Sequence, residues 1–165
     1  MAKKDFDISV VRPRMALEDF KFRGEGMPRQ RLRSIKKGLR TLHTLETMAV
    51  NIYKFQLIQK ETEHNLQLII AMANEMTHFQ DFQLKLYEYG FRPSVLRILY
   101  WLVGFGFGFL SRLMGRTAVL KTGIWVEEKA VRHYQDLLQE IDWDYETRMV
   151  IEKNQADELG HINRW

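Results

Sequence analysis

The sequence predicts an all-α protein: an antiparallel four-helix bundle with one additional apolar helical segment crossing between its halves. Three observations carry this expectation. Only three prolines occur in 165 residues, at Pro13, Pro28 and Pro93, so most of the chain lacks the residue that breaks a helix interior. Apolar residues recur at i, i+3, i+4 and i+7 along four long segments, the period of a helix with one buried face. No alternating strand pattern of comparable length competes, and only 104–109, Gly/Phe in turn, fits a strand period.

With 45% hydrophobic and 28% charged residues, the chain suits one domain with a sizeable core and is too apolar for a disordered one. Zero cysteine excludes disulfide scaffolds, thiolate zinc sites, cysteine nucleophiles and iron–sulfur clusters. The net charge of +4 is too mild for a nucleic-acid signature, and no nucleic-acid partner is expected.

The elements follow in order. The start, MAKKDFDISVVRPRM, has lysines but no apolar run of signal-peptide length, so secretion is not expected. A basic N-terminal arm is assigned to 1–37 and the helical domain to 38–165. Arg29, Arg31, Arg33, Lys36, Lys37 and Arg40 follow one another with no acidic residue between them. That suits a solvated basic helix entry or attraction to anionic lipid headgroups. A first helix is predicted over 30–60, with Leu39, Leu42, Ala49 and Tyr53 on one face and Glu46 in its middle. A second, over 65–89, carries Leu68, Met72, Phe79, Phe82 and Leu86 around Glu75, and Gly90 and Pro93 close it.

The third segment, 94–113, contains the most apolar run, Ile98 to Ser111. These 14 residues hold no charge and lie between Arg97 and Arg112. A bilayer-spanning helix needs roughly 20 residues, so the run reads as a buried helix or an interfacial one. Flanking Arg92, Arg97, Arg112, Arg116 and Lys121, with Tyr100 and Trp101 at headgroup depth, suit contact with a membrane surface. Gly104 and Gly108 stand one turn apart and would let a neighbouring backbone approach closely. A fourth helix, 116–139, aligns Leu120, Ile124, Val131, Tyr134 and Leu138 with Glu127. Glu140 to Glu146 is the turn into a fifth, 145–163, where Ile151, Ile162 and Trp165 align with Glu158.

Four glutamates on apolar stripes demand an explanation. An isolated buried carboxylate costs many kcal/mol unless it is paired or metal-bound. No Lys or Arg shares the central turns of these stripes. Two of the four begin ExxH motifs, Glu75–His78 and Glu158–His161, and residues at i and i+3 share a helix face. The spacings from Glu46 to Glu75 and from Glu127 to Glu158 are 29 and 31 residues, a degenerate repeat of Glu…ExxH. The midpoints fall in the predicted turns, as antiparallel pairs require. Glu61–His64 is a third ExxH, but it lies about 14 residues, or roughly 20 Å, from the Glu75 level and is expected in solvent. The ligand set is that of ferritin-like dimetal carboxylate bundles. It assigns metal binding to Glu46, Glu75, His78, Glu127, Glu158 and His161. Carboxylates and imidazoles suit iron or manganese, and four glutamates balance two Fe(II).

The chain also resembles a known family, the demethoxyubiquinone hydroxylases of ubiquinone biosynthesis, from about Leu39 to His161. The resemblance is tightest in NEMTH (74–78), FRPSVL (91–96), LVGFGFGFLSRLMG (102–115) and VEEKAVRHY (126–134), with His43–Glu46, Ile52-Tyr53 and Gln56 at the family's offsets. It implies the same six ligands, with Glu127 preferred over Glu128. It also implies His133 and Tyr134 near the metals or the quinone path, and His43 as an orienting group for Glu46. The activity it implies is O2-dependent, di-iron hydroxylation of a prenylated, membrane-soluble quinone ring, with NADH as a reductant acting through the quinone itself. The expected setting is peripheral, on the cytoplasmic side of a membrane docked through Ile98 to Ser111, in a homo-oligomer. Two alternatives share the ligands: a ferritin-like iron or peroxide oxidase, and a non-catalytic metal-holding module on a membrane.

Overall fold

Five helices account for the regular structure of the described chain: α1 (Arg29–Gln56), α2 (Glu63–Glu88), α3 (Arg97–Leu113), α4 (Arg116–Glu140) and α5 (Tyr145–Ile162). The structure is a computed structural model describing residues 20–60 and 62–162, and the side chains of His161 and Ile162 lie outside the described residues. So do Trp165, Glu61 and the first 19 residues of the basic arm.

Each predicted helix is present, and local hydrogen bonds move some ends. Helix α1 stops before residue 60 because Leu57 turns extended, with φ −60° and ψ 142°. The Ile58 N–H then donates to Asn65 Oδ1 at 3.0 Å. Thr62 caps α2, its hydroxyl accepting from the Asn65 N–H at 3.1 Å. Gly90, at φ +69°, ends α2, and the Phe91 N–H reaches back to the Leu86 carbonyl at 2.7 Å. Helix α3 starts three residues later than predicted because the Ser94 hydroxyl accepts from the Leu96 N–H at 3.2 Å and holds a turn there.

The α1–α2 and α4–α5 pairs pack as hairpins, and α1 against α4 and α2 against α5 close the bundle. Helix α3 rides outside, mainly on α1, and reaches α4. Its approach is close: a Cβ added at Gly104 would lie 2.5 Å from the Met48 carbonyl oxygen, and one at Gly108 2.4 Å from that of Ile52. Phe55 packs edge-on against Trp101 and Phe105 beside this contact. The opposite face of α3 remains bare: Ile98, Leu99, Leu102, Leu110 and Leu113 are each more than half exposed. Among the described residues no helix is long and apolar enough to cross a membrane.

One core cluster contains Ile35, Leu39, Leu42, Phe82, Leu86, Tyr134, Leu138 and Ile151. A second contains Tyr53, Leu68, Ala71 and Val119. Glu46, Glu75, Glu127 and Glu158 fall between them. On α4 the predicted Glu127, Tyr134 and Leu138 are buried, but toward the start of the helix the buried positions are Val119, Gly123 and Val126, and the predicted Leu120, Ile124 and Val131 are only half-buried.

At one end of the bundle, residues ahead of α1 are tied across it. The Arg23 guanidinium donates to Glu88 at 2.6 Å, to Asp144 at 2.8 Å and to Glu146. Lys21 adds a contact to Glu146 at 2.8 Å, and Lys85 donates to Glu88 at 2.7 Å. Hydrogen bonds from Lys21 and then Arg23 push the Glu146 carboxyl down to about 2.

Candidate metal centre

Helical registry brings four of the six assigned ligands into one cluster. Glu46 of α1, Glu75 and His78 of α2, and Glu158 of α5 each present a ligand atom, and these atoms lie within 4.8 Å of one another. All four are at most 2% exposed. His78 Nδ1 is 2.9 Å from a Glu158 oxygen, and His78 Nε2 is 3.4 Å from Asp157.

The electrostatics follow from crowding. Burial, then the charges of Glu75 and Glu158, raise the Glu46 carboxyl well above its ordinary range. Burial disfavours a charged His78, but hydrogen bonds with Asp157, Glu158 and Glu75 outweigh it and raise the imidazole. Converging carboxylates therefore retain protons or collect positive charge. A divalent cation meets that need directly, and the donor set of carboxylates and imidazole fits iron or manganese.

Glu127 lies beside the cluster. It is buried, and it accepts a hydrogen bond from the Tyr53 hydroxyl. Tyr134 in turn donates to Glu46 at 2.6 Å. The two contacts are reciprocal: Tyr53 follows Glu46 by seven residues, and Tyr134 follows Glu127 by seven. Two turns of antiparallel helix therefore place each tyrosine opposite the other helix's glutamate. Sequence reasoning placed Tyr53 on an apolar stripe and missed its hydroxyl. The matched Glu-to-Tyr offset in both halves was the signal. Burial, followed by the neighbouring glutamate, raises both phenols well above their ordinary value.

The remaining assigned residues are dispersed. His133 is exposed, at the edge of a cavity of about 280 Å³ that is also lined by Glu46, Glu75, Glu127, Trp125 and Tyr134. The backbone of His161 continues α5 one turn beyond Glu158, while its side chain is outside the described residues. His43 is buried, with Nε2 3.4 Å from Gln83 and its ring 4.4 Å from Phe79, so Gln83 rather than Glu46 is its polar neighbour. His64 is half-buried rather than in open solvent, and burial, then Arg116, lowers its pKa.

The cavity meets the outer helix. Trp125 lines it and stacks on Phe107 of α3 with ring centroids 5.7 Å apart. Met48, whose carbonyl faces Gly104, lines it as well.

A helical bundle with buried carboxylates and an imidazole converging between two apolar clusters defines a class, the carboxylate–histidine metal-site bundles. Within it, the chain belongs to the ubiquinone biosynthesis protein COQ7 family, whose model matches residues 33–164. It is 33% identical over 134 residues to the mitochondrial NADPH-dependent 3-demethoxyubiquinone 3-hydroxylase of Dictyostelium discoideum, covering 78% of this chain and 62% of that one. It is 29% identical over 127 residues to the 3-demethoxyubiquinol 3-hydroxylase of Ectopseudomonas mendocina, covering 76% of this chain and 59% of that one. To the protein of the same name from Chromohalobacter salexigens it is 31% identical over 129 residues, covering 77% and 60%. The matches thus span less than two thirds of the length of these relatives.

Proposed function

We propose that the chain is an O2-dependent di-iron monooxygenase that hydroxylates a membrane-soluble quinone ring of the demethoxyubiquinone type, in ubiquinone biosynthesis. The observation that carries this reading is the convergence of Glu46, Glu75, His78 and Glu158 within 4.8 Å in a buried layer. Glu127 and His161 complete the ligand set for two metals, iron being the first choice and manganese the second. The bound metals would supply O2 activation, and the protein does the rest. Tyr53 and Tyr134 hold Glu127 and Glu46 in place. The cavity takes the ring and excludes water, with Trp125 as one apolar wall. His133, at the cavity edge, exchanges protons with solvent.

In the reaction one oxygen atom enters a ring C–H bond and the other leaves as water. A reduced nicotinamide nucleotide supplies a hydride, that is two electrons and one proton, and the second proton comes from solvent. NADH is the first choice, and NADPH is the one in the Dictyostelium relative's name. The bare face of α3 rests on the bilayer, and the contact between Phe107 and Trp125 gives the prenylated substrate an apolar route from lipid to cavity. The protein is then peripheral to the membrane.

The test is metal content and optical spectrum after purification with iron supplied, followed by O2 consumption with a quinone analogue. About two irons per chain, lost in Glu75→Ala and Glu158→Ala, is the expected result. Normal loading of both variants would refute the site. O2 uptake indifferent to the quinone would favour an iron or peroxide oxidase instead. Light scattering on the same sample reads out the expected homo-oligomer.

A further inference from the structure

A second cavity, of about 450 Å³, lies between α1 and the connection from α2 to α3. Arg33, Lys36, Lys37 and Arg40 line one wall. They occupy i, i+3, i+4 and i+7, so they form one stripe along α1. Ser94 and Tyr100 stand among the residues opposite, and no acidic residue lines the groove. None of the four cations forms an ion pair among the described residues. Two are held by other contacts: Arg40 Nε donates to the Arg92 carbonyl at 2.9 Å, and Lys36 Nζ sits 5.5 Å above the Phe91 ring. Arg33 and Lys37 are exposed. Four cations around one concavity without a countercharge repel each other, and a bound anion relieves that repulsion. The volume exceeds what a phosphate ion needs and falls in the range of small-ligand pockets.

The groove is continuous with the bare face of α3. Tyr100 lines it, and Trp101 follows on the exposed apolar helix. Tyrosine and tryptophan favour the headgroup layer of a bilayer. With α3 lying in the interface, the groove stands at phosphate depth.

We propose that this groove binds the phosphate of an anionic lipid headgroup and thereby fixes the orientation of the chain on the bilayer. The proposal rests on the docking of α3 described above, and the experiment separates the two. Binding of the full chain is measured on vesicles of phosphatidylcholine alone and of phosphatidylcholine mixed with an equal amount of phosphatidylglycerol. Wild type should bind both and prefer the second. Arg33→Ala with Lys37→Ala should weaken binding to the anionic vesicles about 30-fold and leave binding to the neutral ones unchanged. A charge-matched control, Arg132→Ala with Lys153→Ala, removes exposed cations from α4 and α5 and should change binding less than about 3-fold.

Equal losses in the two double variants would mean diffuse attraction and would overturn the groove. Equal binding of wild type to both vesicles would do the same while leaving the α3 reading intact. Failure of wild type to bind either vesicle would remove the membrane reading and the proposal together. Calorimetric titration with inorganic phosphate adds a last arm. Tight phosphate binding without any vesicle preference would assign the groove to a soluble phosphate and overturn the lipid.

Discussion

Replacing each of three glycines on α3 by alanine should give opposite signs on one helix. At Gly106 a Cβ meets nothing within 4 Å. There the change only restricts the unfolded chain and improves helix propensity, a gain of about 1 kcal/mol. At Gly104 and Gly108 the new carbon would lie 2.5 and 2.4 Å from the carbonyl oxygens of Met48 and Ile52. A tolerated carbon-to-oxygen contact is about 3.3 Å. The obstacle is helix backbone and cannot rotate away, so α3 must lift from α1 by most of an ångström. Opening packed groups by that much forfeits roughly a quarter to a half of each contact's attraction. Overpacking of this kind costs about 2–3 kcal/mol. Subtracting the propensity gain leaves a net loss of about 1–2 kcal/mol for each of Gly104→Ala and Gly108→Ala. Thermal unfolding followed by circular dichroism reads the result. Gly106→Ala should raise Tm by about 2–4 °C, and the other two should lower it by about 2–8 °C. If all three raised Tm alike, α3 would not lie against the α1 backbone and the packing argument would fail.

Four further outcomes follow. Arg23→Ala should cost about 3 kcal/mol in urea unfolding, because Glu88 is 5% exposed and would keep only Lys85; Arg148→Ala, which gives up an exposed ion pair with Glu152 and a 3.2 Å hydrogen bond to the Leu138 carbonyl, should cost only about 1 kcal/mol. The same network sets an acid limb: Glu146 is pushed down to about 2, and Asp144 is lowered from 3.8 because hydrogen bonds from Thr147 and Tyr89 and the charge of Arg23 outweigh burial. Below about pH 4.5 the unfolded chain therefore binds more protons than the native one. This stability is complete above that pH and is lost as pH falls toward about 2. The loss should be visibly flatter in Arg23→Ala, and an unchanged slope would refute the assignment. Tyr53→Phe and Tyr134→Phe keep the ring and remove the hydroxyl from Glu127 or Glu46. Each should lower metal affinity about 10–100-fold with the helical signal intact, and competition with a chelator measures it. Asn154 is fully buried, and both its amide atoms lack a hydrogen-bond partner among the described residues. Asn154→Leu should therefore gain about 1–2 kcal/mol; a loss would mean that a buried water satisfies the amide.

The reach of sequence reasoning differs between elements. Glu46, Glu75 and Glu158 were legible because a carboxylate on an apolar stripe is costly, and helical periodicity needs no tertiary knowledge. The ends of α1 and α3 were not, because single polar atoms at Asn65 and Ser94 set them. Arg23 gave no signal, since its carboxylate partners lie 65 to 123 residues away.

By itself, the sequence determined the helices, the apolar segment and the paired Glu…ExxH pattern, all of which rest on short-range periodicity and steric rules. Only the tertiary structure decided which hydroxyl meets which carboxylate: Tyr53 with Glu127 and Tyr134 with Glu46. It also decided that α3 seats its glycines on α1, that Phe107 stacks on Trp125 beside the cavity, and that four cations share a groove with Ser94 and Tyr100. These contacts depend on the rotation and offset of one helix against another, and local pattern does not contain either.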